Sequence, residues 1–137
     1  MKTNKYEDAL LLIENVKKYY SIRTGLWKKE IVKAVDGVSL QINEDKIYCI
    51  VGESGSGKST LGRLMVGLEE PTEGNLFYRG ASLSKIRKNR KKWKIFRREV
   101  QMVFQNPYSS LNPRKKIRYK SNKICTTINT LQTTTKF

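Results

Sequence analysis

The 137-residue sequence is poor in acidic residues, cysteine and proline, and it contains no histidine. Its 28 lysines and arginines face only 12 aspartates and glutamates, so the formal net charge is +16. This charge balance favours polyanions, anionic lipid headgroups or an acidic protein as partners, without choosing among them. Cys49 and Cys125 do not have the spacing of metal ligands, and we expect Cys49 to be a small buried hydrophobe in a core strand.

Long hydrophobic runs are also absent. No apolar stretch reaches the roughly 18 residues that a membrane-spanning helix requires. The first residues lack the basic and then apolar pattern of a secretory signal. We therefore expect a chain that neither spans a membrane nor is secreted, with the cytoplasm as its location. At this length it corresponds to about one small domain.

A glycine-rich motif organises the sequence. Residues 52–59 read G-E-S-G-S-G-K-S and fit the phosphate-binding pattern G-x-x-x-x-G-K-[ST]. The apolar residues 47–51 before it predict a strand buried on both faces, and the apolar spacing over 57–68 predicts a helix. Strand, loop and helix in this order are the context that such a motif needs. The sequence therefore predicts a nucleotide phosphate site.

The chemistry of the motif follows from its residue types. Glycines allow backbone angles that other residues avoid, and they let the N–H groups approach the phosphate oxygens closely. Lys58 is expected to reach the β- and γ-phosphates, and the Ser59 hydroxyl is a candidate magnesium ligand. The helix after the loop presents its positive N-terminal end to the anion.

The remaining pattern predicts the flanking elements. Residues 10–20 read as a strand, and the alternation over 31–42, with Asp-Gly inside it as a turn or bulge signal, predicts an antiparallel partner. A short strand is predicted at 75–78 and a strongly basic helix at 85–98. A further strand at 100–104 would deliver Gln105 at its end.

The composition changes at Arg114. The last 24 residues hold seven lysines or arginines and six threonines, with no acid, glycine or proline. Their apolar residues have no sustained period, so this segment is not expected to pack into a core.

With these residues in place, the sequence resembles the ATP-binding subunits of ATP-binding cassette (ABC) transporters, in particular those that energise dipeptide and oligopeptide uptake. The resemblance rests on K-A-V-D-G-V-S at 33–39, on the loop with its flanks at 51–63, on G-L, E-P-T and G within 67–74, and on Q-M-V-F-Q-N-P-Y-S-S-L-N-P-R at 101–114. It implies an α/β fold, the P-loop NTPase core of an ABC nucleotide-binding domain with an N-terminal antiparallel β subdomain, here incomplete. Residues 1–113 would be the N-terminal part of that ATP-binding domain, and 114–137 an unrelated, disordered tail.

The resemblance also implies the site residues. Tyr20 would stack on adenine, with Tyr19 as a weaker candidate; a strand-end tyrosine packing on the sheet is the alternative. Gln105 resembles the glutamine that senses magnesium and the attacking water, and Ser59 and Gln105 would be the metal ligands. The residues implied to hold the phosphates of ATP with Mg²⁺ are Gly52, Glu53, Ser54, Gly55, Ser56, Gly57, Lys58, Ser59 and Thr60. A second ATP-binding subunit and membrane-spanning permease subunits would be the partners, on the inner face of the cell membrane.

Several parts of that family's machinery are missing from the sequence. Hydrolysis needs an acid at the end of a later buried strand, yet no acid follows Glu99, and neither an L-S-G-G-Q type signature nor a switch histidine is present. We therefore expect ATP binding without turnover. One hypothesis is that the chain is the first part of a transporter ATPase whose remainder has been lost. In that case the tail after Arg114 would be translated in a shifted reading frame.

Two other functions fit parts of the sequence. A basic polyanion- or nucleic-acid-binding protein with an incidental phosphate loop would use the lysines and aromatic residues for salt-dependent binding. A small stand-alone P-loop kinase would need its own magnesium-holding acid downstream, and the acid-free tail argues against it.

Overall fold

The structure is a computed structural model that describes residues 9–23 and 29–104. Apart from residues 103 and 104, this part belongs to one compact unit, residues 1–102. The elements in chain order are strands β1 (Leu11–Arg23) and β2 (Lys29–Ile42), helix α1 (Lys58–Met65), strands β3 (Glu73–Tyr78) and β4 (Ala81–Ser82), and helices α2 (Leu83–Lys88) and α3 (Arg90–Glu99).

The four strands form one sheet in the order β2-β1-β3-β4, and every neighbouring pair is antiparallel. Strand β1 pairs with β2 on one side and with β3 on the other, and its buried residues Leu11, Ile13 and Val16 contribute to the core. The predicted antiparallel pair before the loop is therefore confirmed, as is the short strand predicted at 75–78.

The Asp36-Gly37 signal marks a β-bulge. Val16 pairs with Val38 and Lys18 with Val35, so two residues of β2 lie opposite one residue of β1. Gly37 has a φ of 75°, which glycine adopts without strain. The sequence predicted a turn or a bulge at this dipeptide, and the structure has a bulge.

The core lies between the sheet and the helices. Its most deeply buried side chains are Ile13, Val16, Leu64 and Phe96. The ring of Phe96 stacks on Trp93 with 5.3 Å between centroids and meets Tyr78 edge-on at 5.1 Å. Helices α1 and α3 are thus joined to the sheet through apolar contacts.

The basic segment 85–98 is not one helix, as the sequence predicted, but two. Asn89 lies between α2 and α3 with extended backbone angles, and its side chain accepts hydrogen bonds from the N–H groups of Lys91 and Lys92, both at 3.1 Å. Asparagine is a preferred N-cap because its carbonyl satisfies these otherwise unpaired donors. The break at Asn89 therefore has a local cause.

Helix α1 ends at Met65, short of the predicted position 68. Gly67 takes a left-handed φ of 68°, its N–H donates to Leu64 at 3.0 Å, and the N–H of Leu68 donates to Arg63 at 2.9 Å. This pair of bonds is a Schellman motif, which closes a helix where a glycine follows it.

The predicted strands at 47–51 and 100–104 are wrong for this structure, in which residues 47–51 and 101–104 have no regular secondary structure. Ile47 is fully exposed and Val51 is 90 % exposed, and Cys49 is exposed instead of buried. Parallel strands need neighbours that pair their N–H and C=O groups, and every strand within the described ranges is antiparallel. Without such neighbours the apolar sequence alone does not make a strand.

Gly74 offers a test of the packing between β3 and β1. A Cβ at Gly74, where φ is 86°, would lie 2.2 Å from the carbonyl oxygen of Asn15, whereas a Cβ at Gly55, with φ 83°, would meet nothing within 4 Å. We expect Gly55→Ala to lower the free energy of unfolding by about 1 kcal/mol, the cost of a left-handed backbone. Gly74→Ala should cost about 2–4 kcal/mol, because overpacking is added.

Urea denaturation followed by tryptophan fluorescence measures both losses. Equal losses in the two variants would contradict the close approach at Gly74, because the two glycines share the same backbone angle.

Candidate nucleotide-phosphate site

The glycine-rich loop packs directly on the backbone of β2. Gly57, the N-cap of α1, has a φ of 87°, and a Cβ there would lie only 2.0 Å from the carbonyl oxygen of Ala34. No side chain fits in that space, so glycine is required at this position for steric as well as conformational reasons. Helix α1 therefore begins in direct contact with β2.

The start of α1 has unpaired donors. The N-cap residue is Gly57, no side chain makes a capping hydrogen bond to the helix, and the first turn contains no acidic residue. Within the described part of the chain, no backbone carbonyl accepts from the N–H groups of Lys58, Ser59 or Thr60. These amides and the helix dipole make a positive, donor-rich end that suits an anion.

Lys58 lies at the centre of the loop. Its ammonium donates to the carbonyl oxygen of Gly52 at 2.6 Å, to the Ser56 hydroxyl at 3.1 Å and to the carbonyl of Glu53. The loop is therefore closed around a cation whose three N–H donors are all used, and a phosphate group would bind the ammonium by replacing some of these loop acceptors. The next residue, Ser59, is exposed at the first turn.

Tyr20 lies near this helix. Its hydroxyl donates to the carboxylate of Glu69, and the ammonium of Lys18 lies 5.2 Å from its ring centroid. The hydrogen bond to Glu69, and then burial, raise the pKa of Tyr20, while an interaction with the Thr60 side chain lowers it. Glu69 also lies 3.6 Å from the Arg63 guanidinium, so the carboxylate that binds Tyr20 contacts helix α1 as well.

Tyr19, the weaker stacking candidate, makes its contacts elsewhere. Its hydroxyl donates to Asp36 on β2, a bond that raises the pKa of Tyr19 and lowers that of Asp36. Lys33 lies 5.4 Å from the Tyr19 ring. Because consecutive residues of a strand point to opposite faces, only one of the two tyrosines shares the face of the loop helix.

The structure thus brings residues 52–60 together in one loop and helix start, and Tyr20 is connected to the same helix through Glu69. Gln105 and the boundary at 113/114 lie outside the described residues. Residues 9–23 and 29–104 contain no group of three or more histidine, cysteine, aspartate or glutamate side chains that could hold a metal.

Sequence reasoning missed Glu69. It binds the Tyr20 hydroxyl, and it lies 3.7 Å from the Lys18 ammonium and 3.6 Å from the Arg63 guanidinium. Tyr20 is 49 residues away in sequence. No local pattern could have identified this contact.

Comparisons with known proteins agree with this geometry. The family model described as "ABC transporter" matches residues 35–136. The chain is 50 % identical over 114 residues to the dipeptide transport ATP-binding protein DppF of Haemophilus influenzae. This match covers 82 % of this chain and 34 % of DppF. It is 46 % identical over 114 residues to the oligopeptide transport ATP-binding protein AppF of Bacillus subtilis, with the same coverage. The chain therefore spans about a third of the length of these relatives.

Solved structures show the same likeness. The dimeric structure of MJ0796, a bacterial ABC transporter cassette, matches with a TM-score of 0.63 and 30 % identity over 77 % of this chain and 42 % of that one. A post-hydrolysis state of the same cassette, bound to ADP and Pi, matches with a TM-score of 0.54 and 31 % identity over 64 % of this chain and 35 % of that one. The expected fold class, an incomplete ABC nucleotide-binding domain, is confirmed.

The tyrosine–carboxylate bonds predict a pH dependence. The pKa values of Tyr19 and Tyr20 are raised chiefly by their bonds to Asp36 and Glu69, and burial raises that of Tyr78. A raised folded-state pKa stabilises the fold below the unfolded value of about 10, and this stabilisation is lost as the pH rises through the folded value.

We therefore expect the free energy of unfolding to fall above about pH 10, and to fall less steeply in Tyr20→Phe. Urea denaturation at a series of pH values measures both. A wild-type profile that is flat across the alkaline range would contradict the assignment.

Proposed function

The chain belongs to the ABC transporter family, and we propose on that basis that it is part of an ATP-binding subunit that energises peptide import. Peptide import is supported by the relatives, which are named as dipeptide and oligopeptide transport proteins. Nucleotide binding is supported by the solved cassette that holds ADP and Pi. The observation in this chain that carries ATP binding is the loop that closes around the Lys58 ammonium, next to first-turn amides of α1 that have no backbone acceptor among the described residues.

The loop fits a nucleoside triphosphate. The Lys58 ammonium and the first-turn amides offer positive charge and donors to phosphate oxygens, and the packing at Gly57 sets the backbone close to β2. Ser59 would contribute an oxygen ligand to Mg²⁺, which prefers oxygen and is usually held by few protein groups together with the phosphates. The bound ion would neutralise part of the triphosphate charge. Gln105 is proposed as a further ligand.

Tyr20 is proposed to stack on the adenine. Its side chain is partly exposed, and its hydroxyl binds Glu69, which also contacts Arg63 on the helix that carries Lys58. A flat ring on a flat base buries area without base-specific hydrogen bonds. Both tyrosine hydroxyls bind a carboxylate, but the partner of Tyr20, Glu69, also contacts Arg63 on α1, whereas the partner of Tyr19, Asp36, lies on β2. This difference favours Tyr20 as the stacking residue.

The proposed partners are a second ATP-binding subunit and membrane-spanning permease subunits. The relatives' transport names and the dimeric cassette support this assembly. Among the residues that the structure describes, no helix is long and apolar enough to cross a membrane. Attachment at the inner face of the cell membrane through these permease subunits is part of the same proposal.

The alternative of a polyanion- or nucleic-acid-binding protein with an incidental loop is not supported. The family match and the closed loop geometry fall on the same residues, and the curated relatives reported above are transport ATP-binding proteins.

Removal of the Lys58 ammonium tests the proposal. We expect Lys58→Ala to weaken Mg-ATP binding by about tenfold or more, because a charged hydrogen-bond partner of the phosphates is lost. Titration calorimetry measures the affinity. Lys91→Ala is the matched control, since Lys91 is an exposed lysine on α3, and this variant loses the same charge away from the loop.

A loss below about threefold in Lys58→Ala, or an equal loss in Lys91→Ala, would count against a specific phosphate site. A threefold change is less than 1 kcal/mol, too little for one charged contact.

ATP turnover is the second test. Because no acid follows Glu99 in the 137-residue sequence, we expect phosphate release by this chain alone at the level of buffer with Mg-ATP. A coupled phosphate assay measures it. Turnover that Lys58→Ala abolishes would show that the chain supplies the missing groups in another way.

A further inference from the structure

The carboxylate of Glu69 connects the two elements of the proposed nucleotide site, strand β1 with Tyr20 and helix α1 with Lys58. Glu69 accepts the Tyr20 hydroxyl, and its other close partners are the cations of Lys18 at 3.7 Å and Arg63 at 3.6 Å. Its side chain is only 22 % exposed, so these interactions are partly shielded from water. Glu69 is therefore held from several directions.

The partners of Glu69 come from different elements. Lys18 and Tyr20 are on β1, whereas Arg63 is on α1, the helix whose first residue is Lys58. Lys18 also donates to the carbonyl oxygen of Glu70 at 2.8 Å, which fixes the chain after α1 to the same strand. The junction thus connects the strand that carries the aromatic ring with the helix that carries the phosphate-binding residues.

An anchored hydroxyl restricts the tyrosine ring. A tyrosine side chain turns about two bonds, and a hydrogen bond from its far end limits both rotations. Ordering a side chain at a binding site costs about 0.5–1.5 kcal/mol, so a ring that is already fixed loses less freedom when a ligand binds.

We infer that Glu69 is a positioning residue that holds the ring of Tyr20 ready for the adenine base. The inference rests on the proposed function, because it requires that ATP binds at the loop. Lys18 and Arg63 act through Glu69, since they hold its carboxylate in place.

The Tyr19–Asp36 pair supplies a matched control within the same strand pair. It has the same chemistry, a tyrosine hydroxyl bonded to a carboxylate with a lysine nearby, in this case Lys33 at 3.3 Å. Asp36 lies on β2, and its described partners are Tyr19 and Lys33, neither of which belongs to α1. Releasing Tyr19 should therefore leave ATP binding unchanged.

The experiment compares two ligands in the full chain. Mg-ATP carries a base and a triphosphate, whereas inorganic tripolyphosphate with Mg²⁺ carries the phosphates alone. We expect Glu69→Ala and Tyr20→Phe each to weaken ATP binding by about fivefold, the equivalent of one side chain that must be ordered on binding, with less than about a twofold change for tripolyphosphate.

Glu69→Gln should show a smaller loss for ATP, because its amide oxygen still accepts the tyrosine hydroxyl although the ion pairs are gone. Asp36→Ala should change neither affinity. Tripolyphosphate binding also shows that each variant keeps a folded loop, so a misfolded protein is not mistaken for a positioning effect.

The outcomes separate the two proposals. If ATP binding is insensitive to Lys58→Ala, the proposed function fails and the inference fails with it. If ATP binding needs Lys58 but Glu69→Ala weakens both ligands equally, Glu69 has a general structural role and only the inference is overturned. It is also overturned if Asp36→Ala, and not Glu69→Ala, weakens ATP binding, because Tyr19 would then be the stacking residue.

Discussion

The close approach of the glycine-rich loop to strand β2 is the constraint on which the site depends. Because the space between Gly57 and the Ala34 carbonyl leaves no room for a side chain, the loop backbone and the first turn of α1 can lie this close to the sheet only with glycine at position 57. The N–H groups of that turn therefore lie next to the Lys58 ammonium. The ammonium donates hydrogen bonds to several acceptors of the loop. A small residue at one contact thus sets where the positive charge of the site is concentrated.

The sheet contributes in a second way, by bringing tyrosine hydroxyls to carboxylates. Tyr19, Tyr20 and Tyr78 bind Asp36, Glu69 and Glu99, respectively. In a chain with a formal charge of +16, these few acids are used at junctions between elements. Among these three carboxylates, Glu69 connects a strand with the loop helix, because its partners lie on both β1 and α1. Because acids are scarce, few other carboxylates could replace one of these contacts between elements.

Much of the local structure was predictable because its causes are local. The alternation over 31–42 predicted β2, and Asp36-Gly37 predicted a turn or bulge. The apolar spacing after the loop predicted α1. The misses have physical reasons as well. Residues 47–51 are apolar enough for a buried strand, but a parallel strand exists only when neighbours pair with it, and residue pattern does not report whether they are present. The sequence analysis treated the basic segment as one helix and did not use Asn89, which is a typical N-cap residue and begins the second helix.

The sequence by itself determined the phosphate-binding motif, the antiparallel strands and the family, because these depend on residue types at short, fixed spacings. Only the tertiary structure decided which tyrosine lies beside α1 and which carboxylate holds it, since Tyr20 and Glu69 are 49 residues apart and meet through the folding of β1 against the end of the helix. It also decided that residues 47–51 are exposed. A strand is a property of paired backbones, and pairing belongs to the fold and not to the segment.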